Sequence, residues 1–127
     1  MIDLINEENT AHMQNLRAER ESFIQTHLGE GNLIAYFVVD RNHKNGKEVH
    51  YIFDNAIIEI CNLRTGKTVT KLIGRIGQLL RYARGWNGQV EQAYDANGNQ
   101  VPISSVKIPK RTFELARRAE AQGWNFR

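Results

Sequence analysis

Residues 75–88 bring arginine and aromatic side chains together in one short segment. A guanidinium group pairs with phosphate through a planar fork of donors, and an aromatic ring stacks on a base at about 1–3 kcal/mol. If the segment is helical, Gln78, Arg81, Tyr82 and Arg84 share the side opposite to its apolar residues. We therefore predict a site for a phosphate-bearing ligand, with contributions from Arg75, Gln78, Arg81, Tyr82, Arg84 and Trp86. The alternative is a solvated basic face whose two rings pack in the core.

A second basic cluster lies on the last predicted helix and contributes Lys110, Arg117 and Arg118 to the same expected site. Lys110 and Arg117 lie two turns apart on one face, and neither has a comparable acidic partner in the pattern. Arg111, Glu114 and Arg118 follow at three- and four-residue spacing, which is also typical of ordinary surface pairing. Both interpretations of this helix stay open at this stage.

The charge of the chain supports a phosphate-bearing partner. Residues 1–60 carry five Lys/Arg and ten Asp/Glu, a net charge of −5, whereas residues 61–127 carry twelve Lys/Arg and four Asp/Glu, a net charge of +8. Such asymmetry favours binding of an anion, or pairing of the acidic first helix with basic helices of a neighbouring copy. The overall charge of +3 argues mildly against a dedicated duplex-DNA binder.

Histidines offer an alternative chemistry. His43 and His50, with Thr68, Thr70 and Lys71, could form a metal-independent ribonuclease site, in which histidine moves protons and a cation steadies the phosphate. Their spacing matches no known motif, and a histidine on a sheet is usually a surface residue.

The sequence predicts neither a metal site nor a cofactor. The four histidines have none of the short spacings of metal ligands, and Cys61, the only cysteine, can form no internal disulfide. The first ten residues hold three acids and no Lys or Arg, which is unlike a targeting signal, and no apolar run is long enough to span a bilayer. We therefore expect a reducing cytoplasm, with the cytoplasm of an infected host equally compatible.

Hydrophobic periodicity predicts the elements that position these residues. A leading helix is expected at residues 6–28 because apolar residues recur at three- and four-residue spacing until Gly29 and Gly31. After it, short turns such as Asn45–Gly46 separate apolar or alternating runs and require an antiparallel meander. Its four strands are predicted at residues 33–39, 48–53, 56–61 and 68–73. The first of these is almost unbroken in apolar character, which favours burial on both faces.

Two helices are expected after the meander. Helical spacing returns at Gly74 and Gly77, where Ile76, Leu79, Leu80 and Ala83 are apolar, and a last helix runs from Pro109 to Gln122 with Gly123 as its stop. Residues 85–101 between them read as a loop that forms a small hairpin or an ordered flap. The prediction is one α+β domain over residues 1–127, consisting of an N-terminal helix, a four-stranded antiparallel meander, a short helix and a C-terminal helix.

This outline, with its Arg/aromatic segment and closing basic helix, resembles the small phage Thoeris anti-defence proteins that act as signal sponges. The resemblance implies a homo-oligomer that binds a cyclic ADP-ribose variant or a cyclic oligonucleotide without cleaving it. It also implies that Tyr82 is the base-stacking ring and that Arg81, Arg84, Arg117 or Arg118 clamp phosphate.

A second likeness is to ribonucleases of the barnase/colicin type, through the order of helix then sheet and the strand-turn-strand stretch at residues 55–70. A convincing pair of histidine and acid beside the hydroxyls is missing. From the sequence we expect a non-catalytic homo-oligomer that sequesters a small phosphate-bearing nucleotide. The alternatives are a ribonuclease and a basic-surface inhibitor that binds nucleic acid or protein.

Overall fold

The computed structural model describes residues 2–27, 30–40, 46–73, 76–86 and 88–123 of the 127-residue chain. Within these ranges the structure contains three α-helices, a short 3-10 helix (Ile103–Ser105) and a six-stranded sheet. The helices are α1 (Ile2–His27), α2 (Ile76–Ala83) and α3 (Lys110–Ala121). The strands are β1 (Leu33–Asp40), β2 (Lys47–Phe53), β3 (Ile57–Asn62), β4 (Thr68–Leu72), β5 (Val90–Asp95) and β6 (Gln100–Val101). The α+β class is confirmed, and the prediction of four strands is too low by two.

All strand pairs in the sheet are antiparallel, in the order β4-β3-β2-β1-β5-β6. The predicted meander accounts for β1 to β4. Residues 90–101 form the small hairpin of β5 and β6 that the sequence predicts within residues 85–101. Strand β5 also pairs with the free edge of β1, which the sequence did not predict. The β5–β6 turn is held by Asp95, whose carboxylate accepts the backbone N–H groups of Asn97 and Asn99 at 2.9 Å each.

Strand β1 is buried on one face only, which corrects the prediction from its apolar run. Ala35, Phe37 and Val39 are at most 1% exposed, whereas Tyr36 and Val38 between them are half-buried. The ring of Phe37 lies 5.3 Å from the ring of Tyr82 in α2, so this side of the sheet packs against helix. We call it the helical face, and the opposite side, which carries Tyr36 and Val38, the open face.

Helix α2 packs through Leu79 and Tyr82, which are both 0% exposed. The predicted grouping of Tyr82 with Gln78, Arg81 and Arg84 on one exposed side is therefore wrong at Tyr82. The true apolar stripe runs from Leu79 through Tyr82 at three-residue spacing, and Gln78 is half-buried beside it.

Helix α3 begins after Pro109, which occupies the N-cap position, and ends before Gly123 with its φ of +80°. Its buried residues are Thr112, Ala116 and Ala119, and the Thr112 hydroxyl donates to the Asp54 carbonyl at 2.9 Å. The helix contacts α2. Small buried residues permit this close packing. The two helices therefore form one layer, which we call the helical layer, and their basic side chains belong to it.

Helix α1 contacts β4, and Ile24 is buried in the same hydrophobic cluster as Ile57 and Leu72. Leu16 and Phe23 are half-buried against that cluster. These positions agree with the three- and four-residue apolar spacing that predicts the leading helix. No helix within the described ranges is both long enough and apolar enough to cross a bilayer.

Candidate binding surfaces

Tyr82 belongs to a buried polar cluster beneath α2. Its hydroxyl lies 2.7 Å from Nδ1 of His50, which is itself 0% exposed, and Nε2 of His50 lies 3.2 Å from a carboxylate oxygen of Glu48. The ring of Trp86 meets those of Tyr82 and His50 edge-on, at 4.7 and 5.3 Å. Trp86 is 9% exposed. The prediction that Tyr82 and Trp86 present rings to a ligand is therefore wrong, because both rings are part of the core.

The end of α2 explains why Trp86 turns inward. Gly85 and Trp86 both adopt positive φ, at +77° and +51°, and the N–H of Trp86 donates to the carbonyl of Arg81 at 2.8 Å. This left-handed pair reverses the chain, so the indole lies against His50 instead of continuing along the helix. The guanidinium of Arg81 lies 5.1 Å from the centre of the indole ring, which holds this exposed arginine in place by a cation–π contact.

The register of the sheet separates the residues of the expected ribonuclease site. His50 pairs with Ile60, which pairs with Val69, and these three share the helical face. Thr68 and Thr70 pair with Cys61 and Glu59 and therefore lie on the open face. The ribonuclease assignment is wrong for His50, which is buried and on the opposite face from both hydroxyls. His43 lies outside the described residues.

Cations are concentrated at the surface of the helical layer. Five of them are exposed and have no carboxylate within 4.0 Å in the described part of the chain. We call these residues the basic surface: Arg81, Arg84, Lys107, Arg117 and Arg118. Over Ile76–Ala83 and Lys110–Ala121 the same two helices carry two acidic residues, Glu114 and Glu120.

Two further cations of this layer have partners. Lys110 is 91% exposed and lies 4.0 Å from Glu114, and Arg111 lies 3.6 Å from Asp54. The expected ladder of Arg111, Glu114 and Arg118 is therefore wrong, because Glu114 pairs with Lys110, and Arg111 pairs with Asp54. Arg75, the remaining predicted site residue, lies outside the described residues.

The open face carries a feature that the sequence interpretation missed. A line of paired residues crosses all six strands on this face, with one residue from each strand. Its central residues include Tyr51, Tyr36 and Tyr94. The ring centres of Tyr51 and Tyr36 are 5.3 Å apart, and those of Tyr36 and Tyr94 are 4.8 Å apart. We call the whole line the tyrosine row, and it consists of Thr70, Glu59, Tyr51, Tyr36, Tyr94 and Gln100.

A sequence signal for part of this row exists. If the predicted strands at residues 33–39 and 48–53 are joined as a hairpin with Val39 opposite Glu48, Tyr36 lies opposite Tyr51, as the structure has them. The contribution of Tyr94 has no local signal, because it depends on the pairing of β5 with β1 across a long stretch of chain.

Among the described residues, no three His, Cys, Asp or Glu side chains are grouped in a way that could hold a metal ion. Neither a protein-family model, nor a curated protein, nor a solved structure matches this chain. The resemblance to signal sponges therefore stays a prediction.

Proposed function

We propose that this protein is a non-catalytic binding protein that captures a phosphate-bearing polyanion on its basic surface. The observation that supports the proposal is the group of exposed cations on and beside α2 and α3 that lack carboxylate partners in the described part of the chain. Since these two helices pack together, their positive charges add to one potential at the helical layer. Four of the five cations are arginines, whose forks bind phosphate oxygens in pairs.

An extended phosphate backbone fits this surface better than a small cyclic nucleotide. A nucleotide-binding site usually adds a ring or a hydrogen-bonding pocket that recognises the base, and the two rings expected to do so are buried. Arginines at an exposed surface instead contact successive phosphates of a strand, which needs no enclosure. The ligand we propose is thus a nucleic acid strand or duplex, bound through its backbone.

The decisive measurement is the salt dependence of binding to fluorescently labelled duplex DNA and single-stranded RNA, followed by anisotropy. If four to five cations each neutralise one phosphate, the slope of log K against log salt on a duplex is about −4. Replacing Arg117 by Gln should weaken binding and reduce the magnitude of that slope by about one. Absence of binding to both polymers at low salt would contradict the proposal.

A matched control tests whether the cations act from one surface. Lys67 is an exposed cation in the turn between β3 and β4 and belongs to neither of the two helices. Lys67→Gln removes the same charge as Arg117→Gln and should leave both affinity and slope nearly unchanged. Equal losses from the two variants would mean that overall charge, and not the basic surface, attracts the polymer.

A small cyclic nucleotide is the second candidate, because its phosphates could occupy the same arginine forks. Arg81 is held over Trp86 and would be a preorganised clamp for it. Isothermal titration with cyclic ADP-ribose variants and cyclic oligonucleotides distinguishes the two. Heat with one of these ligands, together with weak polymer binding, would favour a signal-sequestering protein over a nucleic acid binder.

A further inference from the structure

We infer that Arg81 is the anchor of the basic surface and that Trp86 is a positioning residue that acts through it, an inference that rests on the function proposed above. The guanidinium of Arg81 lies 5.1 Å from the centre of the Trp86 indole, within the range of a cation–π contact. The side chains of Arg84, Arg117 and Arg118 make no ring contact, hydrogen bond or ion pair in the described part of the chain. One arginine of the basic surface is therefore ordered before any ligand binds.

The indole that holds Arg81 is itself fixed. Trp86 is 9% exposed, and its ring meets the rings of Tyr82 and His50 edge-on, at 4.7 and 5.3 Å. Tyr82 and His50 are both fully buried, and the Tyr82 hydroxyl lies 2.7 Å from Nδ1 of His50. Close packing among rings of this size leaves the indole one orientation. The guanidinium of Arg81 therefore lies against a surface that belongs to the core.

The backbone ties Arg81 and Trp86 to the same turn of chain. The N–H of Trp86 donates to the carbonyl of Arg81 at 2.8 Å, and Gly85 between the two residues has a φ of +77°. Trp86 has a φ of +51°, a left-handed conformation that is unfavourable for a residue with a side chain. Strain of this kind persists where the surrounding contacts fix it, and it is concentrated at functional sites. Here it returns the indole to Arg81.

An arginine that is already ordered binds phosphate at a smaller entropic cost. A long side chain that becomes fixed only on binding loses rotamer freedom, which lowers affinity by about two- to tenfold. Arg84 follows Arg81 by three positions, carries the same charge and is also exposed, so it would lose this freedom in the complex. We therefore expect Arg81 to contribute more to binding than Arg84, although both neutralise one phosphate.

The first test needs no ligand and measures the order of the arginine side chains in the free protein. Spin relaxation of the Nε–H groups should give Arg81 an order parameter near that of rigid backbone, about 0.85, and Arg84 one below about 0.6. The signal that is lost in Arg81→Lys assigns the first of these groups. Equal mobility of the two side chains would overturn the inference, whatever the protein binds.

The second test makes the same substitution at two exposed positions. Arg81→Lys and Arg84→Lys both keep the charge and lose the planar fork, so the difference between them reports the contact with Trp86. Arg81→Lys should weaken binding to labelled duplex DNA about fivefold more than Arg84→Lys, and neither should change the salt slope. Equal losses would overturn the anchor role and leave the proposed function standing. Absence of binding by the unaltered protein would contradict the proposed function as well.

Variants of Trp86 test whether this residue acts through Arg81. Trp86→Leu removes the aromatic face, so it should lower the order parameter of Arg81 and weaken duplex binding about fivefold at an unchanged salt slope. Trp86→Phe keeps a ring and should restore most of that affinity. In the Arg81→Lys background Trp86→Leu should cause no further loss. A loss in that background equal to the loss in the unaltered protein would show that Trp86 acts on the fold alone, and would overturn its positioning role.

Discussion

Tyrosines lie in two different environments on the two faces of the same sheet. Tyr82 is 0% exposed and its hydroxyl is bonded to a buried histidine, whereas Tyr36, Tyr51 and Tyr94 are half-buried in a row on the open face. On the helical face the phenol has no contact with solvent, and His50 is the hydrogen-bond partner of its hydroxyl. On the open face the same side chain leaves part of its apolar area and its hydroxyl accessible to solvent. Residue type alone therefore does not tell which tyrosine belongs to the core and which one lies at the surface.

The largest expected effect is the loss of the buried ring. Tyr82→Ala should lower the free energy of unfolding by about 3–5 kcal/mol, because it removes a large side chain from a close-packed site. Tyr51→Ala on the open face should cost only about 1 kcal/mol. Urea denaturation of the two variants at equal, low concentration gives both values. Similar costs would mean that the two faces are equally buried in solution.

Removal of a single oxygen sharpens the same contrast. Tyr82→Phe leaves Nδ1 of His50 without its partner in a dry environment, so a cost of about 1–3 kcal/mol is expected. Tyr94→Phe should change the stability of the isolated protomer by less than about 0.5 kcal/mol, because water replaces the lost contact. Denaturation midpoints at unchanged m-values provide the measurement. A neutral Tyr82→Phe variant would show that water reaches the buried cluster.

Threonines provide a parallel comparison with a smaller effect. Thr112→Val removes the buried hydroxyl that donates to the Asp54 carbonyl and should cost about 1 kcal/mol. Thr68→Val, at an exposed position of β4 on the open face, keeps the shape of the side chain and suits a strand, so it should be close to neutral. Thermal unfolding of the two variants side by side separates the cases, and a reversed order would contradict the assignment of α3 to the core.

The smallest expected effect is electrostatic and appears only at alkaline pH. The hydrogen bond from Lys47 to Glu91, followed by their charge attraction, raises the pKa of Lys47 above its ordinary value of 10.5. A raised pKa in the folded protein means that the pair stabilises fully below pH 10.5 and that this contribution is lost as the pH rises through the raised value. Stability relative to a Lys47→Met variant should therefore decline in that range. A difference that is constant with pH would show that the pair contributes nothing in water, as for many surface pairs.

Local signals were sufficient for much of the fold. Gly46, which has a φ of +83°, marked the first hairpin, and Pro109 and Gly123 marked the ends of α3, because each of these residues favours a backbone conformation that requires no tertiary contact. Asn45 lies outside the described residues. The pairing of β5 with β1 could not be predicted in this way. Residues 90–95 alternate poorly and pair with a strand about 55 residues away in sequence, so their state is decided by long-range contacts.

At the candidate site, too, the sequence predicted the exposure of some side chains and failed for one of them, Tyr82. Exposure of Arg81, Arg84, Arg117 and Arg118 followed from their type, since guanidinium groups are rarely buried without a partner. The orientation of Tyr82 did not follow, because a tyrosine suits either side of an amphipathic helix. Burial of Tyr82 is decided by His50, which lies 32 positions earlier in the chain and supplies the partner for its hydroxyl.

Cys61 gives the molecule an intrinsic reporter. It is the only cysteine of the chain, it is half-buried, and it lies beside the tyrosine row on the open side of β3. A thiol reagent added to the unmodified protein therefore samples the accessibility of that surface without any introduced label. Addition of nucleic acid should leave its rate of alkylation unchanged if, as we propose, the polymer binds the basic surface on the far side of the sheet.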